Sequence, residues 1–153
     1  MLAPTYLKWM LCFEEPQTRT LWLGKALPRD WLVAGEAPLV AEQVTTRYGR
    51  MSFSLEVGEG PEYSVHANVT VPPSFITKPP PGGIRLRLRV PLPHAGKLSK
   101  VTVGGDEWTA FNAAEETVDF AASKLTAKLI KTGLPEIVAT FGASQAVTLR
   151  AAV

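Results

Sequence analysis

Two carboxylate doublets, Glu14-Glu15 and Glu115-Glu116, are the first residues in this chain whose types suggest chemistry. A sugar hydrolase needs two carboxylates across a cleft, one as acid and the other as base or nucleophile. Adjacent residues of a strand point to opposite faces, so neither doublet is a ready acid–base pair, and both read as solvated surface carboxylates. Nucleophilic catalysis fares no better. There is no Gly-x-Ser-x-Gly turn, and Cys12, set between Leu11 and Phe13, reads as a packed thiol. The lone cysteine excludes an internal disulfide. With only His66 and His94 beside it, a structural zinc site is not expected either. No catalytic residue, metal ligand or cofactor is assigned, and the chain reads as non-catalytic.

Binding residues are a separate question. His66 and Asn68 lie on the polar side of an alternating segment, and Arg85, Arg87 and Arg89 on the polar side of another. If those segments pair, they form a polar patch suited to a sugar, a carboxylated sugar or a partner domain. The alternative is a solvated sheet face covered by arginine stems. Sugar-binding modules stack their ligands on exposed aromatic rings, and this face has none. Of the four tryptophans, Trp9 and Trp31 match core periodicity, while Trp22 and Trp108 are candidates for exposure. Trp108 follows a Gly-Gly-Asp turn and is the better one; its alternative role is to fold over the sandwich edge. Carbohydrate binding would therefore rest on Trp108, His66, Asn68 and Arg87.

The elements that position these residues are mostly strands. Residues 6–14 alternate, with Leu7, Trp9, Leu11 and Phe13 on one side. The other side, with Tyr6, Lys8, Met10 and Cys12, is unusually apolar for a solvated face. A strand over 19–23 places Trp22 outward. Met10, Cys12 and Trp22 together give this pair of strands an apolar outer side. That predicts an exposed patch at Met10 and Trp22, a domain interface with a tendency to self-associate. Pro28 and Gly35 bracket one short helix near 28–34, and a short strand covers 38–45. The clearest pattern lies in the centre. Met51, Phe53, Leu55 and Val57, then Val65, Ala67, Val69 and Val71, then Ile84, Leu86, Leu88 and Val90 alternate with polar residues. These three segments read as neighbouring antiparallel strands with one face in a core. Further strands are predicted at 101–103, on the return through Trp108 and Phe111, at 118–120, at 137–141 and at 147–149, with Gly104-Gly105 as a tight turn. Residues 121–132 read as a second helix, with a strand as the alternative.

All this fits one all-β domain over 1–153, an antiparallel β-sandwich of jelly-roll type. The chain has 153 residues, room for one core and not two. Twelve Gly and thirteen Pro match a turn-rich architecture. A net charge of +2 gives no electrostatic footprint for nucleic acid. No apolar run reaches the roughly 20 residues of a membrane helix, and the first residues do not read as a signal peptide. The abrupt start of the pattern reads as a domain cut from a longer chain.

Several segments in order carry a family resemblance. Thr20-Leu-Trp-Leu-Gly24 leads into Leu27-Pro-Arg-Asp-Trp-Leu32 and Gly35; Val44-Thr-Thr-Arg-Tyr-Gly49 precedes Met51-Ser-Phe-Ser-Leu55. Gly83-Ile-Arg-Leu-Arg-Leu-Arg-Val-Pro91 precedes Val101-Thr-Val-Gly-Gly105 and Trp108. Over residues 5–141 this order resembles the C-terminal β-sandwich domain of bacterial six-hairpin, (α/α)₆-barrel glycosidase-like proteins. The resemblance implies a fragment of a secreted or periplasmic parent, with the catalytic carboxylates in a barrel absent here. It implies a non-catalytic accessory domain packing against that barrel. The other reading is an independent carbohydrate-binding module for a polysaccharide. Residues 121–135 depart from the family pattern, being longer than its short linker between strands.

Overall fold

The computed structural model describes residues 3–130 and 133–142. Helix α1 (Ala3–Leu11) leads into strands β1 (Cys12–Glu14), β2 (Leu21–Leu23), β3 (Leu39–Thr46), β4 (Gly49–Val57) and β5 (Tyr63–Thr70). A one-turn helix α2 (Ser74–Thr77) follows. Then come β6 (Ile84–Arg87), β7 (Leu98–Val103), β8 (Asp106–Glu107), β9 (Phe111–Asn112), β10 (Thr117–Phe120) and β11 (Ile137–Phe141). The strands form two sheets, in the orders β1-β2-β6-β10-β9 and β3-β4-β5-β11-β7-β8. Among the described strands, only β2 and β6 pair in parallel. Inward residues of both sheets, including Leu21, Ile84 and Phe120 from one and Phe53, Val65 and Ile137 from the other, share one core. The fold is an all-β sandwich, as the alternation predicts.

The first correction concerns residues 6–14. The chain is helical over 3–11, and only Cys12–Glu14 is extended. A segment apolar on both sides carries no face information at period two. Here Pro4 suits a first turn and Leu, Lys and Met favour a helix. The backbone N–H groups of Gly24 and Ala26 donate to the Leu11 and Met10 carbonyls at 2.7 and 3.4 Å, so the next loop closes the helix end. Leu7 and Trp9 are consequently exposed rather than inward.

The second concerns the predicted three-stranded meander. β4 and β5 pair in the expected register, Phe53 opposite Val69 and Leu55 opposite Ala67. β6 instead joins the other sheet, between β2 and β10. The connection 71–83 contains five prolines and two glycines, and Phe75 of α2 is buried within it. A proline-rich segment of that length cannot close a hairpin, and it carries the chain across the sandwich. The alternation itself holds: Ile84, Leu86, Leu88 and Val90 are buried.

Neither predicted helix forms as such. Near 28–34 there is one 3₁₀ turn, Arg29–Trp31, which buries Leu32 and leaves Trp31 exposed. Over 121–132 the described part contains a 3₁₀ turn at Ala122–Lys124, then a turn closed by the Ile130 N–H donating to the Thr126 carbonyl at 2.8 Å. Leu125 and Ile130 anchor this segment in the core. The strand expected at 147–149 lies outside the described residues.

Candidate functional site

The four residues proposed for sugar binding fall in three separate places. His66 and Asn68 sit on the outward side of β5, where His66 Nδ1 meets Glu136 Oε1 at 3.0 Å. Asn68 lines a hollow with Ser52, Ser54 and Thr70, beside a bulge in β3 where Gln43 has φ +52°. Arg87 is on the other sheet. Its Nε donates to the Glu115 carbonyl at 3.3 Å and its second nitrogen to the Lys25 carbonyl at 3.2 Å, so it ties loops together. The single patch expected from strand pairing is not assembled, because β6 and β5 belong to different sheets.

Trp22 faces outward as expected, but it is not exposed. It is 8% exposed, on the outer side of β2 between Phe13 of β1 and Arg85 of β6, its register partners. The Lys25 ammonium and the Arg85 guanidinium each lie 5.0 Å from its ring. Arg85 is fixed in turn by Asp119, 2.5 Å away. Two cations lie over this indole, so it presents no open apolar face. Met10 is half-buried at the end of α1. Trp22 therefore does not supply the exposed apolar surface expected of it, and Met10 supplies only part of its side chain.

The carboxylate doublets are separated by their environments. Glu14 accepts from the Arg47 backbone N–H at 2.6 Å. Glu15 accepts from the Thr18 hydroxyl, which lowers its pKa. Glu116 is 1% exposed and sits in left-handed backbone at φ +61°. Both its oxygens meet the Arg29 guanidinium, at 2.8 and 3.0 Å, and raise the Arg29 pKa. Arg29 also donates to the Val90 carbonyl at 2.8 Å. Nearby, burial and the charges of Arg29 and Arg87 lower the Arg89 pKa. Glu116 is thus a structural anchor. Nothing in the sequence marks which member of its doublet turns inward. Cys12 is buried, and burial followed by the Glu14 charge pushes its thiol up to about 12. Among the described residues no group of three His, Cys, Asp or Glu side chains gathers to hold a metal, and no helix is long and apolar enough to cross a membrane.

Two further surfaces stand out among the described residues. At the first, the Arg29–Trp31 turn and the Leu92–His94 turn present exposed apolar residues: Leu92 at 77%, Trp31 at 40% and Val33 at 39%. Arg29, Asp30, Val33, Pro91 and Leu92 border one largely apolar notch. Its base is fixed. The Tyr63 hydroxyl donates to the Leu32 carbonyl, the Tyr63 and His94 rings stack at 4.0 Å, and Arg29 is held by Glu116.

The second surface is a groove of about 490 Å³ at the sandwich edge, reached by Trp108, the candidate singled out from sequence. The Gly104-Gly105 turn, with φ +62° and +90°, closes the β7–β8 hairpin. The chain then crosses to the other sheet through Trp108. The Trp108 indole N–H donates to the Asp119 carbonyl at 3.0 Å, and its ring lies 4.9 Å from Phe120. Trp108 therefore both folds over the edge and lines the groove. Facing it is the segment read as a helix, which supplies Ser123, Lys124, Thr126, Lys128 and Leu129. Those residues were missed because period 3.6 assigns them to a helix face and not to a groove wall. No family model, curated protein or solved structure matches the chain.

Proposed function

We propose that this chain is a non-catalytic accessory β-sandwich of a glycoside-hydrolase-like protein, docking against a catalytic (α/α)₆ barrel. The observation that supports this is the apolar notch of Val33, Pro91 and Leu92, with the exposed Trp31 on the same turn as its Arg29 and Asp30 border. Large apolar side chains clustered in water signal a surface that another protein covers. Burying one such side chain is worth roughly 1.5–3 kcal/mol. Unlike a mobile loop, this surface is held rigid from below by an ion pair and a stacked ring pair, so little ordering is lost on docking. It also lies on Leu27–Leu32 and Val90–Pro91, segments that carry the family resemblance.

The test starts with the gene. An (α/α)₆ barrel encoded in the same or an adjacent reading frame is expected, and the purified barrel should bind this chain. Leu92→Glu, at an exposed site with no folding role, should weaken that binding at least tenfold. Lack of any such barrel, or equal binding of the variant, would overturn the proposal.

A further inference from the structure

We infer that the Trp108 groove is a binding site for an acidic oligosaccharide, one whose sugar rings carry carboxylates. Its volume lies within the roughly 300–1,000 Å³ of small-ligand sites. Its lining is divided in the way a sugar divides. Trp108, Leu129, Val103 and Pro135 offer apolar surface, while Ser123 and Thr126 offer hydroxyls. A pyranose has an apolar C–H face and a polar hydroxyl rim, so it can stack on an indole while its edge is hydrogen-bonded.

The Trp108 ring is set in place before any ligand arrives. Its N–H is committed to Asp119 and one side is against Phe120. A ring fixed in this way loses little freedom on binding. Its N–H is also unavailable to the ligand, so polar recognition falls to the opposite wall.

The charge on that wall selects the ligand. Lys124 and Lys128 line the groove against the single carboxylate of Asp106. Neither lysine has an ion-pair partner among the described residues. Two free ammonium groups beside an apolar ring favour a sugar carboxylate over a neutral hydroxymethyl. The site is open and at an edge, which suits a stretch of polymer. It is distinct from the Val33–Leu92 notch, so either proposal can fail without the other. The far wall comes from Ser123, Lys124, Thr126, Lys128, Leu129 and Pro135, within the part of the chain that departs from the family pattern, so the groove belongs to this sequence and not to the resemblance.

The experiment is an NMR titration of the whole chain with tri-galacturonate and tri-mannuronate, each against its neutral counterpart, galactotriose and mannotriose. Trp108→Phe identifies the Trp108 indole N–H signal. At least one acidic trimer should shift that signal and saturate, with at least tenfold preference over its neutral counterpart and weakening as salt is raised. Lys124→Met with Lys128→Met, both at exposed positions, should weaken binding about tenfold, the size expected for two partly solvated charge contacts. Leu92→Glu should leave it unchanged. No shift from either acidic trimer up to about 10 mM, equal binding of the neutral trimers, or full binding by the lysine double variant would each overturn the inference.

Discussion

Replacing Arg29 with Met removes the cation that meets both oxygens of Glu116. The methionine keeps the aliphatic stem and leaves a carboxylate with 1% exposure unpaired. Breaking a buried pair by removing one partner costs about 3–5 kcal/mol. Arg29 is itself 27% exposed, so water reaches part of the site and the lower end, about 3 kcal/mol, is expected. With a urea m-value of about 2 kcal/mol/M, the midpoint should fall by about 1.5 M. Glu116→Gln should cost less, about 1–2 kcal/mol, because the amide still accepts from Arg29 and the stranded cation reaches solvent. The sign of the pH dependence provides an independent check. An unpaired buried carboxylate takes up a proton more readily, so folded Arg29→Met binds a proton that its unfolded chain releases at neutral pH. Its stability deficit relative to the parent should therefore shrink as pH falls from 7 toward 4.5. A loss under 1 kcal/mol with no pH dependence would refute the view that this pair anchors the Trp31 turn.

Three further outcomes are expected. Burial, and then Lys97, lower the His94 pKa, so its imidazole should titrate below the ordinary ~6.5 by NMR; its contribution to stability is present above that pH and lost as pH falls through the lower folded value. A midpoint at or above 6.5 would contradict the half-buried Tyr63 stack. Cys12 should resist a disulfide thiol reagent at pH 8 in the folded protein and react fully in urea, since burial holds its pKa near 12; rapid native labelling would show that β1 is open. At Gly83, φ is +77° and an added Cβ would lie 2.1 Å from the Phe120 carbonyl oxygen, so Gly83→Ala should destabilise by about 2–4 kcal/mol in urea titration, and a neutral effect would mean that β6 and β10 do not meet there.

The sandwich was legible wherever one side of a strand was apolar and the other polar. Met51 through Val57 and Val65 through Val71 show that contrast, and their register follows from it. It fails where the contrast is missing. Residues 6–11 are apolar on both sides, so a helix and a strand fit the letters equally well. The tryptophans are the cost of that ambiguity: Trp9 and Trp31, matched to core spacing, are exposed, and Trp22, read as outward, is covered by two cations. Outward-facing was correct for Trp22. Exposure did not follow, because neither Lys25, arriving from the next loop, nor Arg85, from a strand 63 residues on, can be located from sequence.

The sheet to which a strand belongs is a different kind of information from its face. The period of Ile84–Val90 fixes which residues turn inward, and it is silent on which partner they meet. In a two-sheet fold both inner faces look alike to such a pattern. That ambiguity separated Arg87 from His66 and Asn68, and with it the site expected on their shared face. The Trp108 groove depends on a feature of the opposite kind. Its aromatic residue was visible beside a Gly-Gly turn whose geometry is local, while its opposing wall is an irregular segment held by Leu125 and Ile130 in the core. Once those two side chains are buried, the intervening turn must run along the surface. Lys124 and Lys128 then face solvent beside the indole without any regular element to direct them. A groove built this way leaves the sandwich intact when its polar residues change. Ser123, Lys124, Thr126 and Lys128 can be exchanged for others at little cost to the core, and ligand preference at this edge can change independently of the fold.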